Sequence, residues 1–331
     1  MHPLNYIDIM IECDVEEYMT ESMPFLPTDE FDVTSASSPE EVHAYCLKKY
    51  GLTPHFIKAV LSNGLPYDLR MKIEWDYDPK YGEWSALMIY LRDKEGKLVA
   101  YDSRLIDLDD DVTWPGDIHV DASISGQGIG TQLVFNQMRL VNHMGVSKML
   151  IRAGNTTGAA VWGKLGFDLE GDKALGHFNM DVLNKRLEIM DLHLGADFVQ
   201  HAREACMALE QGTIWPLTDL QQDIIAIYGK ENTINMLRMM RNEYVEFVIG
   251  SVDARVTVLG EEALARFESR DVITLGQVLL VGQQWGGVFD FSNQRQLDRL
   301  AHNIGKPLEI VAEEPFVQRI QSNSQRQFKL G

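Results

Sequence analysis

Three glycines at alternating positions, Gly126, Gly128 and Gly130, form the part of the sequence best suited to chemistry. A predicted strand at 118–120 precedes them, and a segment with helical periodicity, 128–143, follows. Glycines at a strand-to-helix junction let the backbone approach an anion closely. The free N–H groups of the first helical turn, together with the helix dipole, then bind that anion. This segment therefore predicts a loop that binds a phosphate group.

Two other phosphate loops do not fit this spacing. A dinucleotide-binding loop needs the pattern Gly-x-Gly-x-x-Gly, and the glycines here alternate instead. A nucleotide P-loop needs lysine and then serine or threonine after its last glycine, whereas Thr131 follows Gly130 directly. From the glycines alone, a structural turn without a ligand remains the alternative.

The segments around this loop indicate a sheet that must position it. β-branched and aromatic residues, interrupted by Asp- and Gly-rich turns, predict successive antiparallel strands joined by hairpins. We predict strands at 71–77, 84–92, 98–106, 117–121, 149–152, 178–182 and 278–281, and a turn at 285–287. Helices are predicted to open at Pro39 and Pro54, and to occupy 128–143, 157–165, 196–211, 217–229 and 231–247.

With these elements around it, the loop resembles the core motif of the GCN5-related N-acetyltransferase (GNAT) family. That motif runs hydrophobic-x-Val-x-Pro-x-x-Arg/Gln-Gly-x-Gly-Ile-Gly, and Ala122 stands here at its proline position. The matching positions are Ile118, Val120, Ala122, Ser125, Gly126, Gln127, Gly128, Ile129 and Gly130.

A second segment resembles the second motif of the same family, Asn-x-x-Ala-x-x-x-Tyr-x-x-x-Gly-Phe. The matching positions are Asn155, Gly158, Trp162, Gly166 and Phe167. The two segments stand in the right order, separated by a helix and a strand, and together they extend the resemblance over residues 67–183.

The resemblance implies an α+β fold with a GNAT-like mixed, mostly antiparallel sheet flanked by helices. We expect an N-terminal segment at 1–66, an acyl-CoA-binding domain at 67–183 and a mainly helical C-terminal domain at 184–331. The ligand implied is acetyl-CoA or a longer acyl-CoA, in a cleft where the strand before the glycines splays from the next strand.

The resemblance also assigns roles to residues. The backbone amides from Gln127 to Thr131 would bind the pyrophosphate, and the strand edge from Val120 to Ala122 would pair with the pantetheine arm. Asn155 would hold that arm from the other side. The implied activity is N-acetyl transfer to an amine, on a small molecule or a protein, without a metal.

Two positions depart from the family pattern. Ser125 replaces a long side chain that would reach the pyrophosphate, so the backbone amides must carry the binding. Trp162 replaces the tyrosine that often protonates the leaving thiolate, and an indole N–H is not a proton source near neutral pH. These departures keep open a second hypothesis, a non-catalytic GNAT-like module in an interaction protein, with Trp162 as a core aromatic residue.

Candidates for the base that deprotonates the amine lie on the strand before the loop. Asp117, His119 and Asp121 alternate with apolar residues, so they are expected to share one face. His119 is the natural proton acceptor, because imidazole titrates near neutrality. The structural alternative is a surface histidine between two acids. No cysteine lies near either motif, so direct attack of the amine on the thioester is expected.

Composition limits the partners. The net charge of −19 repels phosphate backbones, so a nucleic-acid partner is not expected, whereas a basic acceptor would be attracted. The N-terminal residues lack the features of a signal peptide, and no apolar run is long enough to span a membrane. With three widely spaced cysteines, we expect a cytoplasmic protein with reduced thiols. The helical C-terminal region could select a partner, cover the cleft or mediate homo-oligomer formation.

Overall fold

The computed structural model describes residues 31–33, 39–78, 82–108, 110–124, 126–154, 158–169, 179–249, 252–306 and 308. Its strands are β1 Phe31–Val33, β2 Asp68–Asp78, β3 Gly82–Arg92, β4 Leu98–Asp107, β5 Val112–Val120, β6 Lys148–Ala153, β7 Asp168–Leu169, β8 Tyr244–Ile249, β9 Val252–Thr257 and β10 Trp285–Asp290. Its helices are α1 Pro39–Tyr50, α2 Pro54–Ser62, α3 Ile129–His143, α4 Gly158–Lys164, α5 Met180–Leu194, α6 Ala196–Glu210, α7 Trp215–Thr218, α8 Ile224–Tyr228, α9 Lys230–Asn242, α10 Glu261–Glu268, α11 Leu275–Leu280 and α12 Gln294–Ile304.

One sheet of eight strands organises the fold, in the order β1-β2-β3-β4-β5-β6-β10-β7. Its pairings are antiparallel except for β1 with β2 and β5 with β6, which are parallel. Helices flank this sheet, and the region after β7 is mainly helical apart from the β8–β9 hairpin and β10. The predicted fold class is confirmed.

The hairpins from β2 to β4 follow from local chemistry. β2 and β3 pair continuously from Asp68 opposite Arg92 to Asp78 opposite Gly82. Between β3 and β4, the Asp93 carboxylate accepts hydrogen bonds from the backbone N–H groups of Glu95 and Lys97 at 3.0 and 2.8 Å. A side chain that substitutes for backbone acceptors in this way fixes a tight turn. The strands predicted here are confirmed.

Three predicted strands and turns near the C-terminal side were wrong, and two predicted helices were too long. The helix predicted at 217–229 divides into α7 and α8, and the one predicted at 231–247 ends at Asn242, before strand β8. Residues 278–280 belong to helix α11, and Val281 is its C-cap. The helix begins there because the side chain of Thr274 accepts from the backbone N–H of Gln277, whose own side chain accepts from the backbone N–H of Thr274. A short apolar run cannot distinguish a buried helix from a strand, so the sequence was ambiguous there. In the segment 178–182, residue 178 lies outside the described residues and Asn179 caps helix α5 through the N–H of Val182.

The third wrong prediction concerns Trp285, Gly286 and Gly287, which open strand β10 rather than a turn. Strand β10 lies between β6 and β7 and pairs antiparallel with both. Position 287 requires a glycine, because the indole of Trp285 and the side chain of Ile151 occupy the space that a Cβ would need. The chain therefore leaves the sheet after β7, forms the helical region, and returns to fill a gap in that sheet.

Buried residues of the sheet and of the helical region form a single hydrophobic cluster. Arg186 of α5 is buried within it and donates hydrogen bonds to the carbonyls of Val258, Val278 and Leu279. Burial lowers the pKa of this guanidinium to about 9. Because its N–H groups are met by carbonyls from two separate segments, Val258 and helix α11, Arg186 ties α5 to both of them.

Candidate functional site

The glycine turn lies at the carboxyl end of β5. A short 3₁₀ turn, Ala122–Ile124, follows that strand, and helix α3 begins at Ile129. Gly126 and Gly128 have φ angles of 83° and 80°, a backbone region that favours glycine. A Cβ on either residue would meet no atom within 4 Å, so the space above the turn is open. Ser125 lies outside the described residues.

The first turn of α3 is arranged to receive an anion. Its N-cap is Gly128, which makes no side-chain capping bond to the N–H groups that follow. Gly126, Gln127 and Gly128 are exposed, while Ile129 is buried beneath them. Open amides at the start of a fifteen-residue helix attract negative charge through their N–H groups and the helix dipole.

Close contact between helix and strand holds the turn in place. The Cγ2 atom of Val120 lies 3.2 Å from the position that a Cβ on Gly130 would take. Gly130 therefore lets α3 approach β5 closely, and Val120 faces the helix. The motif residues from Val120 to Gly130 thus form one compact strand–turn–helix unit.

A cleft opens beside this unit because β5 and β6 part. They pair only where Val112 faces Lys148 and Thr113 faces Met149. Beyond that point the register of β5 against β4 also shifts. Two residues of β5, Gly116 and Asp117, stand opposite the single residue Ser103 of β4, which makes a β-bulge. Such a bulge bends a strand away from its partner. The predicted splaying of the strand before the glycines from the next strand is therefore present.

Gly116 permits this bulge. A Cβ on Gly116 would collide with the backbone carbonyl of Ser103. This glycine was not singled out from the sequence, because a single glycine inside a strand does not reveal which neighbouring backbone approaches it.

A buried arginine occupies the point where the strands part. The Nε of Arg104 donates to Oε1 of Gln137 at 3.2 Å, and its Nη1 donates to the carbonyl of Leu150 on β6 at 3.1 Å. Burial lowers the pKa of Arg104, and the neighbouring Asp102 carboxylate opposes that shift. Arg104 thus satisfies a β6 carbonyl just beyond the last β5–β6 pair. Sequence reasoning missed it, since its partners come from α3 and β6.

The three candidate bases lie at different places. His119 is exposed and stands opposite Tyr101 on β4. Since Val120 faces α3 and strand residues alternate, the His119 side chain is on the other face of β5. Asp117 lies in the bulge, and its side chain is outside the described part of the chain.

Asp121 is held by three hydrogen bonds at the end of β5. The hydroxyl and the backbone N–H of Ser123 donate to its Oδ1 at 2.6 and 2.8 Å, and Lys97 donates to its Oδ2 at 2.9 Å. These donors, the Ser123 hydroxyl foremost, hold the pKa of Asp121 well below its usual value. A carboxylate with so low a pKa is a weak proton acceptor at neutral pH.

The second motif forms helix α4 and the turn after it. Asn155 lies outside the described residues, and α4 begins at Gly158. Trp162 is 7% exposed and packs edge-on against Phe167, with ring centroids 5.2 Å apart. Gly166 has a φ of 91°, and a Cβ there would lie 2.6 Å from the carbonyl of Gln296. Trp162 is thus buried in the core, as the structural interpretation of this residue expects.

Two surface cavities lie elsewhere. One of about 310 Å³ is bordered by the ion pairs Arg238–Glu268 and Arg241–Glu261. The other, of about 660 Å³, is bordered by Trp215, over which the guanidinium of Arg299 lies. Neither contains a predicted site residue. Within the described ranges, no cluster of three side chains suited to a metal occurs, and no helix is long and apolar enough to cross a membrane.

Comparison with known proteins gives matches only among solved structures, since no protein-family model and no curated protein sequence matches the chain. The ribosomal-protein-S18-alanine N-acetyltransferase of Escherichia coli is 25% identical, over 25% of this chain and 52% of its own, with a TM-score of 0.22. The IAA acetyltransferase of Bacillus cereus is 22% identical. The match covers 25% of this chain and 56% of that protein, with a TM-score of 0.23.

A third structure, described as an acyl-CoA N-acyltransferase of Klebsiella pneumoniae, is 12% identical over 30% of this chain and 63% of its own, with a TM-score of 0.20. The chain therefore spans between half and two thirds of each of these proteins. The likeness to each of them is partial, and the functional argument rests on the geometry of the cleft.

Proposed function

We propose that this protein is an N-acyltransferase that binds acetyl-CoA in the cleft between β5 and β6. The observation that carries the proposal is the position of the glycine turn, whose uncapped helix N-terminus lies at the carboxyl end of β5, the end at which the β5–β6 pairing has been lost. The pyrophosphate would bind the amides from Gln127 to Thr131, for which the Gln127 N–H must leave its 3.4 Å hydrogen bond to the carbonyl of Ile124. The pantetheine arm would lie along the freed edge of β5 at Val120 and Ala122.

In the proposed reaction the amine nitrogen attacks the thioester carbonyl carbon directly, a C–N bond forms and the C–S bond breaks. The proton lost by the amine ends on the departing thiolate. Direct attack is supported by the two described cysteines, because burial raises the pKa of Cys46 to about 12 and that of Cys206 to about 11. Thiols with such pKa values are poor nucleophiles and do not suit an acyl-enzyme route.

His119 is the proposed base. It is exposed on the face of β5 opposite α3, so an amine that reached it would approach the thioester from the side away from the pyrophosphate. Asp121 is better suited to fixing the end of the strand, because its low pKa leaves it a weak base. The overall charge of −19 favours a cationic acceptor, such as an amine or a lysine-bearing protein.

A non-catalytic acyl-CoA-binding module is the second candidate. The burial of Trp162 favours it, since that indole packs against Phe167 and offers no proton to a leaving thiolate. The two candidates share the ligand and differ only in turnover.

Calorimetric titration with acetyl-CoA tests both candidates. We expect binding that Gly128→Glu abolishes, because this change puts a carboxylate at the phosphate site and strains a residue with positive φ. Gly212→Glu is the matched control, since Gly212 also has positive φ and open space around it. No binding of acetyl-CoA or coenzyme A at millimolar concentration would refute both candidates. Binding without thiol release across a panel of amines and lysine-bearing proteins would favour the module.

A further inference from the structure

Helix α4 must be anchored by the rest of the protein. It has seven residues, too few for a helix to be stable on its own. It is the first element after β6, whose carboxyl end lies beyond the last residue that pairs with β5. What holds that first turn therefore decides where one wall of the cleft stands.

The first turn is held by a residue far away in the chain. The indole Nε1 of Trp285 donates a hydrogen bond to the carbonyl of Ala159 at 3.2 Å, and both residues are fully buried. Trp285 is fixed in turn, because strand β10 places it opposite Ala153, the last residue of β6. One tryptophan thus connects the end of β6 with the start of α4.

The opposite end of α4 has comparable anchors. Arg299 donates to the carbonyl of Gly163 at 2.8 Å, and the indole Nε1 of Trp215 donates to the carbonyl of Phe167 at 2.9 Å. Gly163 also lies directly against the side chain of Thr218. Trp285 of strand β10 and Trp215 of helix α7 therefore bond to backbone carbonyls on either side of α4, one at the cleft end and one at the far end.

We propose that Trp285 is a positioning residue for acyl-CoA binding, and that through it the C-terminal part of the chain completes the cleft. The inference rests on the proposed function for the identity of the ligand. Its physical basis is separate, since the Trp285–Ala159 bond sets the first turn of α4 whether or not a ligand is bound. Without that bond, the first turn of α4 gains freedom that acyl-CoA binding must then remove.

The test compares Trp285→Phe with Trp215→Phe in the full chain. Each change removes one indole donor to a carbonyl flanking α4, so if any anchor of α4 supported the cleft, both variants would bind acetyl-CoA more weakly. We expect Trp285→Phe to weaken acetyl-CoA binding about tenfold, and Trp215→Phe to stay within about twofold of the native protein. Equal affinities for the two variants would overturn the inference.

Hydrogen exchange of residues 158–164 supplies a readout that needs no ligand. Exchange in the first turn of α4 should accelerate in Trp285→Phe and not in Trp215→Phe. Unchanged exchange in Trp285→Phe would overturn the positioning role, even if the native protein binds acetyl-CoA. Failure of the native protein to bind acetyl-CoA would instead refute the proposed function, and with it the ligand named here.

If Trp285→Phe does not fold, benzothienylalanine at position 285 replaces it in both measurements. That residue keeps the size and shape of the indole and lacks only the N–H donor. Benzothienylalanine at position 215 is the control. We again expect weaker acetyl-CoA binding and faster exchange only for the replacement at position 285, and equal results at the two positions would overturn the inference.

Discussion

Thr113 of β5 and Met149 of β6 are the last residues at which these two parallel strands face each other. Past this pair β5 continues to Val120 and β6 to Ala153 with no mutual pairing. The backbone groups released on their facing edges need other partners, and a pantetheine arm carries amides that could pair with them. The glycine turn stands at the open end of this gap.

Gly116 should be essential to the splayed strand. Gly116→Ala places a methyl group against the carbonyl of Ser103, so the bulge must shift or the strand must unpair. We expect a loss of roughly 1–3 kcal/mol in unfolding free energy, typical of overpacking. Urea denaturation followed by circular dichroism measures it. Gly260→Ala is the control, because a Cβ there meets no atom within 4 Å, and an equal loss in both variants would contradict this account.

His119 should affect turnover rather than acyl-CoA binding. His119→Ala removes the proposed base, and loss of a general base typically costs about 10²–10⁴ in rate. Once an acceptor is known, kcat should fall on that scale while the dissociation constant of acetyl-CoA stays unchanged. His302→Ala, an exposed histidine on α12, is the control. A kcat that is unchanged in His119→Ala would remove this residue from the mechanism.

Asp121 should make stability depend on pH below neutrality. Its folded-state pKa lies below its unfolded value because Ser123 and Lys97 donate to the ionised form. Its contribution is therefore complete above the unfolded pKa of about 4, and is lost as the pH falls through the folded-state pKa. Asp121→Asn should have a lower Tm than the native protein at pH 7. The difference in Tm between the two proteins should decrease as the pH drops below about 4.

The Ser123 hydroxyl is the largest single cause of this low pKa, and Lys97 contributes both a hydrogen bond and its charge, so Ser123→Ala and Lys97→Met should each raise the pKa of Asp121. Titration of the Asp121 carboxyl by NMR measures both changes. A gap in Tm between Asp121→Asn and the native protein that stays constant from pH 7 to pH 2 would contradict the assignment.

The sequence by itself determined the elements that are local in the chain. The glycines predicted the strand–turn–helix unit, because left-handed φ angles such as those of Gly126 and Gly128 favour glycine. Alternating apolar residues predicted the hairpins of β2, β3 and β4, since strands joined by short turns pair with their immediate neighbours. The resemblance to the GNAT motifs supplied the ligand hypothesis and the expected gap between β5 and β6.

Only the tertiary structure decided what depends on distant partners. Trp285-Gly286-Gly287 has the composition of a turn. It forms a strand because it pairs with both β6 and β7, which do not pair with each other. Glycine is needed at position 287 because the indole of Trp285 occupies the space above it. Arg104 has the appearance of an ordinary strand residue until Gln137 and Leu150 are brought beside it. In both cases the deciding contacts join residues far apart in the chain, which local periodicity does not encode.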